Sequence, residues 1–209
     1  MKLSFAIPVK DEFVEIQRLL TFLLENKDKE DEIVVLWDSK NGDKQIETYL
    51  RKMNVEKTLF QWHSYEFDGH FANMKNYLTS FCSGDWIVQL DADEMIGKSF
   101  IQYVKESIKL NPEMHAFFVP RINTVEGLTQ EHIQKWGWNV NDYGWINFPD
   151  LQQRVYVNNG NVKWKNKVHE TLVGHQFFGI FPNAEEICIL HHKDIKRQEK
   201  QNELYSKLM

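Results

Sequence analysis

The chain has 209 residues, 42% of them apolar, and 25 lysines and arginines against 30 acids for a net charge of −5. That is enough apolar material for one large domain, or one domain with an elaboration, and the charge balance excludes the basic field that nucleic acid or an anionic membrane requires. The two cysteines, Cys82 and Cys188, lie far apart in apolar surroundings and form no zinc motif, so they read as core thiols of a reducing compartment.

Residues 3–7 read as a strand, after which Phe13, Ile16, Leu19, Leu20, Leu23 and Leu24 recur at helical spacing. The opening MKLSFAIPVKDE is too short an apolar run for a signal peptide, and no run of about 18 apolar residues follows anywhere. No transmembrane segment is therefore expected, and the location is read as cytoplasmic. Next come a strand at 33–37, a helix at 43–53, a weaker strand at 59–62, a helix at 70–81, a strand at 86–90 and a helix at 99–110. Such alternation predicts an α/β fold with a mostly parallel central sheet flanked by helices. Ligands of such sheets bind beyond the C-terminal strand ends, which draws 8–12, 38–42 and 91–94 to one crevice.

After residue 111 the texture changes. Strands are expected at 115–120, 152–157 and 186–192, with one or two more in 162–172, and an aromatic, Gly- and Asn-rich stretch occupies 136–149. The expected organisation is one domain over 1–209. Residues 1–111 form its nucleotide-binding half, 112–194 a β-rich acceptor-binding half, and 195–209 a terminal helix or the lead into a further domain.

The stretch GDWIVQLDADE, Gly84 to Glu94, runs an apolar segment into three carboxylates. Strand alternation would put Asp91 and Asp93 on one side and Ala92 and Glu94 on the other. Carboxylates held that close repel unless one keeps its proton or a cation bridges them, and an all-oxygen pair suits Mg²⁺ or Mn²⁺. A calcium loop is excluded, since Ile96 stands where its glycine belongs and Gln102 where its glutamate belongs. Alone, the D-x-D also fits a solvated loop, or the nucleophile motif of a haloacid-dehalogenase-type phosphatase. Those enzymes carry it near the start of the domain and have Thr or Val where this chain has Met95.

Five segments in order, FAIPVKDE, VVLWDSKNGD, FANMKNYLTSFCSGDWIVQLDADE, KVHETLVG and ILHHKD, together resemble family 2 glycosyltransferases with the GT-A fold, in particular the subgroup that glucosylates lipopolysaccharide cores and related glycans. The resemblance spans roughly 3–194. It implies a metal-dependent, inverting transfer of a hexose from a nucleoside-diphosphate sugar, UDP-linked by family habit, to a glycan or other hydroxyl acceptor, with Mn²⁺ or Mg²⁺ as cofactor. Pro8, Val9 and Glu12 would hold the base and ribose, and Asp38 would accept a hydrogen bond from either. Lys75 and Asn76 would reach the nucleotide or its diphosphate, and Asp91, Ala92 and Asp93 would complete the donor site. Asp93 would bind the metal directly and Asp91 the ribose or a metal-bound water. One of His191 and His192 would be a third ligand, alternation allowing one at most.

Family members commonly carry an acidic pair on a helix as the base. This chain instead offers VHET, which makes Glu170 the candidate, with Asp142 and Asp150 as rivals. Trp136, Trp138, Tyr143, Trp145 and Phe148 would form a platform for the acceptor sugar, with His169 orienting it. From the residues alone, a turn cap at Asp38, a solvated helix face at Lys75 and Asn76, and core packing of the aromatics fit as well. A non-catalytic module that binds nucleotide sugars is the other alternative.

Overall fold

Two strands, β1 (Leu3–Val9) and β2 (Glu32–Asp38), are near-continuous apolar runs buried on both faces, as parallel strands between helix layers must be. Helix α1 (Phe13–Asn26) joins them and buries Ile16, Leu19, Leu20 and Leu23 as one stripe. Helix α2 (Lys44–Met53) is capped by the Asp43 carboxylate, which accepts from the Gln45 N–H at 2.8 Å. Then follow β3 (Gln61–Tyr65), α3 (Phe71–Thr79), β4 (Trp86–Gln89), β5 (Glu94–Met95), α4 (Lys98–Leu110), β6 (Ala116–Glu126), α5 (Gln130–Trp136), β7 (Ile146–Val157), β8 (Lys163–Lys165), β9 (Thr171–Val173), β10 (Phe178–Ile180), β11 (Ile189–Asp194) and α6 (Ile195–Leu208). This computed structural model describes residues 1–55 and 59–208; Met209, the end of the expected terminal segment, lies outside the described residues.

The main sheet runs β3-β2-β1-β4-β7-β6-β11-β5, with β10 also on β6, while β8 and β9 form a separate hairpin. From β3 to β4 all pairs are parallel. β7 then enters antiparallel to both β4 and β6, so the sheet is mostly parallel as expected but mixed rather than purely parallel. The cause is local: β6 and β7 are long partners that pair directly with each other, and β7 also supplies the neighbour of β4.

The strand order turns around between β1 and β4, because β2 and β3 lie on one side of β1 and β4 on the other. Pro8 contributes to opening that point. The Ala6 carbonyl accepts from the Leu90 N–H at 3.0 Å, so residue 8 faces the same neighbour, and proline has no N–H with which to extend the ladder. The chain after β4 therefore leaves the sheet at Asp91.

Several elements differ from their sequence reading. β3 begins at Gln61 rather than 59, and β6 and β7 are longer than expected, β7 taking in part of the aromatic stretch. β11 begins at Ile189 rather than 186, because Glu185–Ile187 form a single 3₁₀ turn, and three further elements were not expected. β5 is two residues long and exists through its pairing with β11, β10 is largely exposed, and α5 has no buried residue and so no apolar stripe.

Candidate active site

Asp91 to Asp93 form a turn rather than a strand extension, so strict alternation does not hold. Ala92 points into the main core, whereas Glu94 folds back to Asp91 and accepts from its backbone N–H at 2.9 Å. Glu94 thus lies with Asp91 rather than opposite it. The Arg154 guanidinium, on β7, reaches both carboxylates, with Nη2 2.7 Å from Asp91 Oδ2 and 2.7 Å from Glu94 Oε1. Arg121, on β6, donates to Glu94 at 2.8 Å and to Asp150 at 2.9 and 2.7 Å. Burial alone would raise the Asp91 carboxyl, but Arg154, with Lys75 and Arg121 beyond it, holds it at about 2.

Asp93 faces the other way, toward β11 and α6. Its Oδ2 lies 3.4 Å from His191 Nε2, 3.7 Å from Lys193 Nζ and 3.6 Å from Arg197 Nη2. β5 makes this possible, because Glu94 pairs with His191 across an antiparallel bridge and pulls the acidic turn against β11. Burial opposes the Asp93 charge, yet these neighbours hold the carboxyl well below its usual range. The imidazole adds to that only when protonated, and burial depresses His191 despite the nearby Asp93. Near neutral pH the ring is therefore uncharged, and Lys193 and Arg197 carry the pairing.

The His191 tautomer follows from its neighbours. Asn123 Nδ2 donates to Asp150 at 2.8 Å, which turns Asn123 Oδ1 toward His191 Nδ1 at 2.7 Å. Nδ1 must then be the donor, and Nε2 presents its lone pair to the Asp93 carboxylate. Two electron-rich atoms facing each other in this way suit a cation between them. Oxygen and imidazole donors fit Mn²⁺ well and Mg²⁺ less well, and either ion would fill its remaining positions with water and phosphate oxygens. Among the described residues no cluster of three His, Cys, Asp or Glu forms a ready-made cage. His192 is on the opposite face, exposed, 2.9 Å from Thr124 Oγ1 and 3.9 Å from Glu126, and is not brought to Asp93.

Glu170 enters from the β8–β9 hairpin. The backbone is left-handed at Asn166 and at His169 (φ 80° and 51°), and the hairpin delivers the Glu170 carboxylate onto Lys75 Nζ. Lys75 is almost wholly buried and sits over the Trp164 ring at 4.5 Å. It is neither a solvated residue nor a free donor for the nucleotide. Asn76 is a structural clamp: its Oδ1 accepts from the Trp164 N–H at 2.9 Å and its Nδ2 donates to the Trp164 carbonyl at 2.8 Å. The two residues expected at the nucleotide instead fasten the hairpin that carries Glu170.

Asp38 closes its own turn. Its carboxylate accepts from the N–H groups of Lys40 at 3.0 Å and Asn41 at 3.2 Å, and from Asn41 Nδ2 at 3.2 Å. Val9 packs into the core and Pro8 is buried, so both offer the crevice backbone rather than side chain. Glu12 stands at the start of α1 without capping it, its carboxylate turned back to accept from the Lys10 N–H at 2.7 Å and from Arg197 at 2.7 Å. Burial pushes its carboxyl up to about 7, Asp93 and Asp11 adding to the rise against Lys10 and Arg197.

The aromatic residues form two clusters. Trp136 stacks on His132 and touches Trp138, with ring centroids 5.0 and 4.6 Å apart. Trp145 meets Tyr143 and Phe148 at 5.2 and 4.8 Å. None of the five rings is fully buried, so the clusters are not core. Asp142 is exposed in the same excursion, and His169 is exposed beside Glu170. Asp150 is committed to Arg121, Asn123 and Gln152.

Sequence reasoning missed Glu94, Arg121, Arg154, Lys193 and Arg197. Of these, Glu94 stood in a recognisable motif as the last acid of DADE, and Lys193 as the lysine of ILHHKD.

The model of the family described as Glycosyl transferase family 2 matches residues 4–178. No curated protein matches the chain. Among solved structures, residues 1–349 of S. aureus TarS share the GT-A fold at a TM-score of 0.63 and 12% identity, over 100% of this chain and 64% of that one. The same protein with UDP-GlcNAc matches at 0.62 and 12%, over 92% and 59%. GalNAc-T7 with UDP, GalNAc and Mn²⁺ matches at 0.50 and 13%, over 60% and 23%. The chain thus spans less than two thirds of the TarS fragment.

Proposed function

The chain belongs to glycosyl transferase family 2, and we propose that it transfers a hexose from a UDP-linked donor to a hydroxyl of a glycan acceptor, with inversion at the anomeric carbon. Membership of this family removes the phosphatase alternative. The observation that carries the proposal is the Asp93–His191 pair beyond the ends of β1 and β4, in one charge network with Glu170 and Lys75. The UDP, UDP-GlcNAc and Mn²⁺ of the similar structures support the donor class and the ion.

Mn²⁺ or Mg²⁺ held by Asp93 and His191 would supply Lewis-acid stabilisation to the departing diphosphate. The chain's own residues do the rest. Glu170 takes the proton of the acceptor hydroxyl as that oxygen bonds to the anomeric carbon, and the bond to the diphosphate breaks with its electron pair leaving on the phosphate oxygen. Lys75 fixes the position of the Glu170 carboxylate, and Arg154 fixes that of Asp91, which faces the donor ribose. The tryptophan clusters offer ring faces to the acceptor pyranose.

Thermal unfolding with ligands tests this directly. UDP should raise the melting temperature, and more with Mn²⁺ than without, because metal and diphosphate bind as a unit. A panel of nucleoside diphosphates that shifts nothing under any divalent ion would overturn the proposal. Binding of UDP-sugar with no sugar release to water or acceptor would favour the non-catalytic module.

A further inference from the structure

The C-terminal β11–α6 segment brings three cations, Lys193, Arg197 and Lys200, to the acids that surround the strand ends. Lys200 pairs with Asp11 at 3.0 Å and is exposed. Lys193 is buried beside Asp93. Arg197 stands between them and spans the crevice: Nη1 is 2.9 Å from Glu15 Oε1, and Nη2 is 2.7 Å from Glu12 Oε1 and 3.6 Å from Asp93 Oδ2. One guanidinium therefore joins the loop after β1 to the turn after β4, the two strand ends where the order of the sheet reverses.

We infer that Arg197 is a donor-binding residue held in reserve: without donor it neutralises Glu12, Glu15 and Asp93, and with donor it transfers to the diphosphate. This rests on the donor class proposed above. Two features of the geometry and one requirement of the ligand carry it. The 3.6 Å separation from Asp93 is an ion pair and not a hydrogen bond, so Arg197 is not committed there. Glu12 is not orphaned when the guanidinium leaves, since its other oxygen keeps the N–H groups of Lys10 at 2.7 Å and Asp11 at 3.1 Å. A diphosphate entering beside Asp11, Glu12, Glu15 and Asp93 also needs a cation that can turn to it, and a planar guanidinium matches phosphate with two parallel hydrogen bonds.

The position of Arg197 is well determined by the chain itself. Its own N–H is accepted by Asp194 Oδ1 at 3.0 Å, which caps the first turn of α6. Because β11 pairs with β5, the start of α6 is registered to the acidic turn. α6 also reaches the aromatic excursion, with Glu199 3.8 Å from His132, which stacks on Trp136.

The test compares wild type, R197Q and R197K by calorimetric titration with UDP and with uridine, each with and without Mn²⁺. R197Q should weaken UDP roughly tenfold to a hundredfold, the effect of losing charge-assisted hydrogen bonds, and should leave uridine unchanged. R197K, which keeps the charge but not the fork, should fall between them. Equal losses for UDP and uridine would reduce Arg197 to a structural role, and unchanged UDP binding in R197Q would remove it from the donor site; either overturns the inference. R197K keeps the question decidable should R197Q not fold. Wild type that binds no UDP at all would overturn the donor assignment itself, a result distinct from both.

Discussion

Arg154→Met should be among the most destabilising single changes in the protein. Arg154 is 3% exposed, and its guanidinium serves two carboxylates at 2.7 Å, Asp91 and the fully buried Glu94. Breaking a buried pair from one side costs about 3–5 kcal/mol, because a charge is left without compensation. Two details argue for the lower end. Glu94 keeps Arg121 at 2.8 Å, and the Asp91 side chain is 35% exposed, so water takes over part of its solvation. A loss of about 3 kcal/mol, at a urea slope of roughly 2–3 kcal/mol/M, lowers the unfolding midpoint by about 1–1.5 M. The pH dependence carries a sign. Asp91 is held at about 2 in the folded protein, below its ordinary value of 3.8, so its pairing stabilises fully above 3.8 and is lost as the pH falls through about 2. The gap between wild type and variant should accordingly hold from neutral pH down to about 4 and then narrow. A midpoint shift under about 0.3 M, or a gap that widens in acid, would refute the buried-pair account.

Glu170→Gln should lower turnover by about 10²–10⁴-fold with UDP binding intact; an enzyme that keeps more than about a tenth of its rate would move the base to Asp142, Asp150 being saturated by Arg121, Asn123 and Gln152. His191→Ala should abolish the extra thermal stabilisation that Mn²⁺ gives with UDP, whereas His192→Ala should preserve it; matched behaviour of the two would dissociate His191 from the ion. Asn76→Ala removes both hydrogen bonds to the Trp164 backbone and should cost about 1–3 kcal/mol in urea unfolding. If Asn76→Ala instead weakens UDP at unchanged stability, its clamp role is wrong.

The parallel half was legible because its signals are local. Leu3–Val9 and Glu32–Asp38 are apolar on both faces, and Ile16, Leu19, Leu20 and Leu23 form a stripe, so strand and helix each declare their own period. β5 has no such signal: its two residues become a strand only because β11 returns beside them. The same long-range pairing decides which histidine meets Asp93, a choice that alternation narrows to one but does not make. In the site, acids were legible and their cations were not. Asp91, Asp93 and Glu94 stand together in one motif, while Arg121, Arg154 and Arg197 are scattered through two strands and a helix and resemble any surface charge in the sequence; Lys193 stood in ILHHKD, where the two histidines drew the metal reading. Lys75 and Asn76 show the converse, since adjacency to a donor-site motif suggested ligand contact where tertiary structure uses them to anchor Trp164 and Glu170. A carboxylate cluster so dense needs neutralising charge, and much of it here comes from the chain itself. The cations that do so, Arg154 buried beneath Asp91 and Arg197 across Asp93 from α6, differ in one respect that matters for function. Arg154 is enclosed and cannot change partners without unfolding its surroundings, whereas Arg197 is partly open and leaves Glu12 satisfied when it moves. The first can only fix the acidic turn in place, and it is the second that we assign to an incoming diphosphate.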